Sequence, residues 1–266
     1  IANPCNNSLM VIEILLVCIV CFVGSLLTFF SGFGLGTLLL PVFNLFFPIH
    51  IAIGLTAIVH FLNNAFKLGL MAKYVDWKMV FAFGIPAMLG AILGANILRL
   101  LTFQYMEIHY NIFNLECTNS VLKICIGLLL ICFSILEFFQ KSFNLRSSAF
   151  WTIPGGLLSG FFGGLSGHQG ALRSIFLIHT SLSKEAYIGT GIMIACLVDI
   201  SRISLYLQNT LDIYQNYYYI LFPCLAAFLG AWSGQKFLHK TTFPFFKYTV
   251  ALFLIVFGIL MVLGKI

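Results

Sequence analysis

Charge is what this chain has least of. Only 8% of its 266 residues are Asp, Glu, Lys or Arg, with eight acids against fourteen bases. A soluble domain carries about 25% charged residues, so a fold wetted on all sides is excluded. No G-x-x-x-x-G-K-[ST] run is present, which argues against nucleotide-driven work within this chain. The short alternating strands of a β-barrel are also missing. The first apolar run, Leu9 to Phe30, is long for a signal-peptide core and has no basic segment before it. It is read as a helix of the membrane domain, and the opening Ile as the trace of a removed initiating segment. A formal charge of +6 calls for no nucleic-acid partner.

What is present is apolar length. Hydrophobic residues make up 61% of the chain. Runs able to cross ~30 Å of hydrocarbon recur from end to end. The expected fold class is all-α, a polytopic helical membrane protein with the lipid bilayer as its solvent. Apolar segments are predicted at Leu9–Phe30, Leu35–Phe47, Ile51–Ala72, Met79–Leu98, Val121–Phe139, Phe150–Leu165, Ala171–Ile178, Ala186–Leu207, Tyr217–Phe237 and Phe245–Leu263. The second, sixth and seventh are short, and each borders a glycine-rich break: "SGFGLG" from Ser31 to Gly36, and "GGLSGHQG" from Gly163 to Gly170.

The halves of the chain echo each other. Thr56 follows Gly36 by 20 residues, and Thr190 follows Gly170 by the same 20. "NNAFK" (Asn63 to Lys67) stands where the second half has "VDISR" (Val198 to Arg202), after a one-residue slip. "GAILGANIL" from Gly90 parallels "GAWSGQKFL" from Gly230, and each follows a proline, Pro86 or Pro223. The chain reads as a duplicated unit of about 130 residues, with residues 1–140 as the first repeat and 141–266 as the second. Lys73, Lys78, Lys141, Arg146, Lys184, Lys236 and Lys240 fall on one set of alternate connectors, with only Arg99, Lys123 and Lys265 on the other. The richer set should face the cytoplasm, which puts both termini outside. Each half then has an odd number of effective crossings, so the repeats are inverted, with short broken or re-entrant helices meeting near the midplane. That architecture recurs in secondary transporters.

The polar residues inside the apolar runs are the candidate site. Broken backbone in hydrocarbon leaves N–H and C=O groups without partners and is tolerated where protein or a wet cavity covers it. Helix N-termini at such breaks suit anions. The candidates are Ser31, Gly32, Gly34 and Gly36 in the first break, with Ser166, Gly167, His168, Gln169, Gly170 and Arg173 in the second. Asn63, Asn64, Lys67, Thr190 and Arg202 join them from the neighbouring helices. Asp199 and Arg202 stand three apart on one helix face and should pair. Asp199 and His168 are candidates for carrying a coupling proton, the possible coupling ion. The other readings are plainer. Glycines also serve close helix packing, Lys67 has the length to snorkel, and Thr56 and Thr190 have hydroxyls that reach their own helix carbonyls. His60 and His179 read as isolated polar spots, and Tyr217, Tyr218 and Tyr219 as an interfacial belt.

Six of the eight cysteines, Cys18, Cys21, Cys125, Cys132, Cys196 and Cys224, lie in apolar runs and read as packing residues. Cys18 and Cys21 form C-x-x-C, which leaves open a thiol or sulfur relay. Cys5 and Cys117 fall in polar segments placed outside, where an oxidising compartment favours a disulfide between them. No metal site and no cofactor is expected.

At this point the pattern resembles the sulfite exporter TauE/SafE family of membrane permeases. The match rests on "SGFGLGTLLLP" (Ser31 to Pro41), "IAIGLTAIVHFLNN" (Ile51 to Asn64) and the weaker copy "SGFFGGLSGHQGALR" to "YIGTGIMIACLVDISR". The resemblance implies a non-enzymatic transporter of a small anion, a sulfur oxyanion or organosulfonate, moved out of the cytoplasm across a bacterial inner membrane. The sequence departs from the family pattern at His168-Gln169, where a plainer glycine run is usual, and at Leu55, where the second copy has Gly189. An anion channel built on the same breaks is the competing reading, beside the thiol relay.

Overall fold

The computed structural model describes residues 4–31, 35–103, 107–112, 115–139, 151–177, 180–206, 217–237 and 244–266. It is helical almost throughout. Helix α1 (Pro4–Ser31) leads to the short α2 (Leu35–Asn44) and then to α3 (Ile49–Met71). A single turn, α4 (Trp77–Met79), runs through a π-helical segment, Val80–Gly84, into α5 (Ile85–Phe103). After a strand pair come α6 (Val121–Phe139), α7 (Thr152–Ser166), α8 (Gln169–Leu177), α9 (Lys184–Tyr206), α10 (Tyr218–Phe237) and α11 (Pro244–Val262).

Among the described residues four helices are long and apolar enough to cross a bilayer: Leu9–Phe29, Ile49–Tyr74, Trp77–Thr102 and Lys184–Tyr206. The polarity is that of a membrane protein. Leu9, Ile12, Leu15 and Ile19 on α1, and Phe81, Leu89 and Leu93 on the π segment and α5, are exposed, while Lys67, Asp199 and Arg202 are buried. At 1.5 Å per residue, α2 and α8 reach only ~15 Å each and α7 only ~22 Å, less than the hydrocarbon thickness. Their broken ends meet inside the protein. A Cβ at Gly36 would stand 3.7 Å from the Gly167 carbonyl oxygen. Gly167 itself caps α7 in the left-handed region, φ 82°, with its N–H donating to Gly163 O at 2.9 Å. A side chain there would be strained.

The glycines outside the breaks pack helices. On α7, a Cβ at Gly156, Gly160 or Gly164 would strike the carbonyl of Phe83, Ala87 or Ala91 respectively. From the other side, Gly90 and Gly94 of α5 lie on the carbonyls of Leu157 and Phe161. Helices α1 and α10 meet in the same way, Gly230 on Phe22 O and Gly234 on Leu26 O. Lipid offers no hydrophobic drive between helices, so close backbone approach of this kind supplies the association.

The packing partners are reciprocal. Helix α5 of the first half lies on α7 of the second, and α10 of the second lies on α1 of the first. Helix α2 touches α11 as α8 touches α6, while α3 pairs with α9 and α6 with α11.

The polar connector between α5 and α6 is a hairpin, β1 (Glu107–Ile112) and β2 (Leu115–Ser120), with Tyr110 opposite Cys117. It does mechanical work. Asn119 Nδ2 donates to Met261 O at 2.5 Å, and the Tyr110 hydroxyl donates to Val262 O. The Tyr110 bond satisfies a carbonyl at the helix end, and the Asn119 bond adds a second donor to Met261 O, which also accepts from the Gly264 N–H at 3.1 Å. Cys5 lies on α1 and Cys117 on β2, but both side chains, like that of Ser31, and all of Gly32, Gly34 and His179 fall outside the described residues.

Candidate functional site

Helix α3 carries a polar stripe in an apolar body. Thr56, His60, Asn63, Asn64 and Lys67 recur at spacings of three and four, which places them along one side of the helix. All are buried, Lys67 at 3% exposure. The stripe faces α9, whose buried charges are Asp199 and Arg202.

Asp199 is the hub. Its Oδ2 accepts from His60 Nδ1 at 2.6 Å and from Asn64 Nδ2 at 3.3 Å. Its Oδ1 accepts from Arg202 Nε at 3.0 Å, lies 2.9 Å from Arg202 Nη2, and takes Gln169 Nε2 at 3.4 Å. The predicted i, i+3 pair is therefore present, but it is one arm of a network that joins α3, α8 and α9. A buried carboxylate in low dielectric is tolerable only when paired and fully hydrogen-bonded, and four residues share that task here. His60, read from the sequence as an isolated polar spot, is the cross-helix partner of the acid.

Above this network lies a cavity of about 40 Å³ lined by Thr28, Phe29, Leu35, His60, Asn64, Lys67, Arg173, Tyr187, Ile188, Gly191 and Ile192. One water needs roughly 10–15 Å³ by this kind of measure, so the space holds a few waters or a small ion. Its polar wall is cationic. Lys67 Nζ donates to Thr28 Oγ1 at 3.1 Å and sits 5.6 Å from the centre of the Phe29 ring. It does not snorkel to a surface. Arg173, on the first turns of α8, is 8% exposed, and its Nη1 has no hydrogen-bond partner among the described residues. Its Nε stands 3.4 Å from where a Gly191 Cβ would be, so a side chain at Gly191 would crowd the guanidinium. Neither cation has a carboxylate at salt-bridge distance among the described residues; the acid nearby, Asp199, is held by His60 and Arg202. A buried cation without a counter-ion is costly, and such a residue within a membrane defaults to a functional role.

The remaining candidates divide. Asn64, Lys67 and Arg173 line the cavity, and Gly36 packs on the His60 ring at its base. Arg202 does not line it: the guanidinium is 1% exposed beside Gly167, with a Gly167 Cβ position 2.8 Å from Nη1. Gln169 reaches Asp199, and Ser159 Oγ donates to the Gln169 carbonyl at 3.1 Å. His168 turns away, with Nδ1 3.0 Å from Ser166 Oγ and its ring stacked on Phe133, centroids 5.8 Å apart. Asn63 accepts from Ser25 Oγ at 2.8 Å, joining α3 to α1. Thr190 does not bond back to its own helix: its hydroxyl accepts from the Asp76 N–H at 2.9 Å. Thr56 Oγ1 likewise has no hydrogen-bond partner among the described residues. Gly170 is buried in the first turn of α8.

Sequence reasoning missed Thr28, Phe29, Tyr187 and Gly191. Of these only Tyr187 had a signal, a phenol one turn into a polar-ended helix. Cys18 and Cys21 are free thiols on α1, Cys21 fully buried in the apolar core with Cys224. No group of three or more metal-ligating side chains occurs among the described residues.

Helices long enough to cross a bilayer, half-length helices whose broken ends are buried and a cationic interior chamber fit a polytopic membrane permease. The family model for the sulfite exporter TauE/SafE matches residues 16–261, nearly the whole chain, and the chain belongs to that family. It is a membrane transporter. No curated protein sequence matches it.

Proposed function

We propose that this protein is a secondary transporter that exports a small anion, a sulfur oxyanion or organosulfonate, by alternating access. One observation carries the reading: two buried cations, Lys67 and Arg173, converge on one cavity with no carboxylate at salt-bridge distance among the described residues. Phe29, Leu35, Ile188 and Ile192 form the apolar side of that cavity, against which a short organic tail would rest.

The two moving bodies are the repeats, residues 1–140 and 141–266, in inverted orientation. The reciprocal packing of α5 on α7 and α10 on α1 supports this, since exchanging the halves maps each contact onto its counterpart. The cavity lies toward the end of α3 that leads into Lys73 and Lys78, and toward the start of α9 at Lys184. These are the connectors that the positive-inside rule assigns to the cytoplasm, so both termini lie outside and the cavity takes cargo from within. Asp199 and His168 are the groups the sequence offers for proton coupling, and of the two Asp199 sits in the network beneath the cavity while His168 lies on Ser166 and Phe133. The small, floored cavity favours a carrier over a channel, because an open pore needs a continuous wet path.

Counterflow of [35S]sulfite in proteoliposomes tests the reading. Saturable counterflow that disappears in Arg173→Ala supports it. Unitary currents would make the protein a channel, and undiminished counterflow in Arg173→Ala would remove Arg173 from the site.

A further inference from the structure

The network beneath the cavity poses a problem for any anion that enters. Lys67 and Arg173 draw it in, but Asp199 lies directly beyond, with its Oδ2 held 2.6 Å from Nδ1 of His60, a residue that lines the cavity. On the far side of the carboxylate stands another cation, Arg202, clasped to Oδ1 and lying against the Gly167 break. The polar stripe of α3 continues past His60 to Thr56, buried at 1% exposure, whose hydroxyl has no hydrogen-bond partner among the described residues. The Asp199 carboxylate, clasped to Arg202, stands between the cavity and this part of the stripe.

We propose that His60 ties anion passage to a proton: it takes one from the cavity water, cancels the charge of the His60–Asp199 pair, and frees Arg202 to receive the anion. This deepens the transport reading and rests on it. The charge balance is simple. With Arg202 counted, neutral imidazole, carboxylate and guanidinium sum to zero, and imidazolium, carboxylate and guanidinium sum to one positive charge, which the anion then meets. An imidazolium at the observed contact becomes the counter-ion of Asp199, so the carboxylate loosens its hold on Arg202. No bond to carbon forms or breaks, and the proton leaves to water on the other side as the anion does.

Imidazole suits the task because it changes charge in the neutral range. The groups that face it from each packed element are few. Lys67 shares its helix, Asp199 and Arg202 come from α9, and across the cavity stand Arg173 of α8 and Tyr187 at the start of α9; Cys196 and Tyr206 of α9 lie by Asp199 and Arg202. From α2 the backbone of Gly36 packs on the ring, and from α1 the neutral Thr28 shares the cavity with it. His168 is turned onto Phe133 and Ser166 and does not touch the Asp199 network, which moves the proton-carrying role toward His60.

The test uses the full chain in liposomes, with the potential clamped at zero, [35S]sulfite as probe and a pH dye trapped inside. One extra proton per anion makes the accumulation ratio about tenfold steeper per pH unit of imposed gradient, since each factor of ten corresponds to one unit of proton gradient. Sulfite's own protonation contributes equally to every variant, so the difference between proteins isolates the side chain. The expected result is that wild type exceeds His60→Gln by about tenfold per pH unit, and that Asp199→Asn loses the same increment. Equal slopes in wild type and His60→Gln would overturn the proposal and leave transport standing. Absence of sulfite flux in wild type would overturn the transport reading itself. If His60→Gln fails to fold, wild type alone decides: proton movement no greater than sulfite speciation accounts for refutes the coupling, and one proton more per anion supports it.

Discussion

The Asp199 network makes an unequal prediction for its two charged partners on α9. In Asp199→Leu, Arg202 stays in place at 1% exposure, without the carboxylate that held its Nε at 3.0 Å. His60 and Asn64 lose their acceptor as well. Breaking a buried pair from one side costs about 3–5 kcal/mol, because the surviving charge is left uncompensated. In Arg202→Met, by contrast, the carboxylate keeps His60 at 2.6 Å and Asn64 at 3.3 Å. The loss is then that of a charged hydrogen bond, about 1.5–3 kcal/mol. The double variant Asp199→Leu/Arg202→Met removes both charges and leaves only neutral groups to resettle, so it should be about 2 kcal/mol more stable than Asp199→Leu alone. An isolated surface pair would show no such order.

Thermal unfolding in detergent reads this directly, with the intrinsic fluorescence of Trp77, Trp151 and Trp232 as the signal. The expected ranking is wild type, then Arg202→Met, with the double variant well above Asp199→Leu. Equal losses in the two single variants would refute the role of His60 and Asn64 as the donors that hold Asp199 without Arg202. A double variant no better than Asp199→Leu would refute the claim that the stranded guanidinium is the source of the damage.

Other outcomes follow from the same geometry. Arg173→Ala and Lys67→Met should each lower sulfite counterflow more than tenfold while detergent-solubilised protein remains monodisperse by gel filtration; a charge-assisted contact to an anion is worth about 1.5–3 kcal/mol. Gly160→Leu forces a side chain onto the Ala87 carbonyl and should cost at least about 1–3 kcal/mol, seen as a lower unfolding temperature than Gly69→Leu, where nothing stands within 4 Å. If Cys5 and Cys117 pair outside the membrane, an impermeant thiol reagent on intact cells labels both after reduction and neither before. Labelling from the cytoplasmic side alone would reverse the orientation proposed for the repeats.

Much of the architecture was legible because membrane helices announce themselves locally. Length, apolarity and glycine breaks placed ten helical segments, and the half-length of α2, α7 and α8 followed from where the breaks fall. The Asp199–Arg202 pair was legible too, since i, i+3 spacing on a helix is itself a contact. The arrangement across helices was not. His60 and Asp199 are 139 residues apart, and nothing in linear order brings them to 2.6 Å. A signal did exist: His60 lies four residues before Asn64 and seven before Lys67, so a helical reading of α3 puts all three on one face. Read alone, the histidine was a polar spot. Read with its face, it belongs to a polar stripe that must meet something polar. Arg202 shows the opposite limit: repeat symmetry aligned it with Lys67, but its place outside the cavity lining, paired with Asp199, is visible only in three dimensions.

The run "GGLSGHQGALR" shows why composition alone could not assign roles within the break. Its glycines do unlike things. Gly164 lets α7 close on the Ala91 carbonyl, Gly163 makes room for Gln169 and Val198, and Gly167 alone needs the left-handed backbone that ends the helix. The polar residues divide as well: His168 packs on Phe133, Gln169 steadies Asp199, and Arg173 reaches the cavity. Four residues separate Gln169 from Arg173, about one helical turn, so α8 holds both on one side and sets the acid's support beneath the cavity cation. The break is therefore a joint between a packing surface and a charged chamber. A shift of one half against the other, transmitted through α7, would reach the Asp199 network through Gln169 and the cavity through Arg173 together. That shared lever is what a carrier needs if the opening of the cavity and the release of its floor are to be parts of one motion.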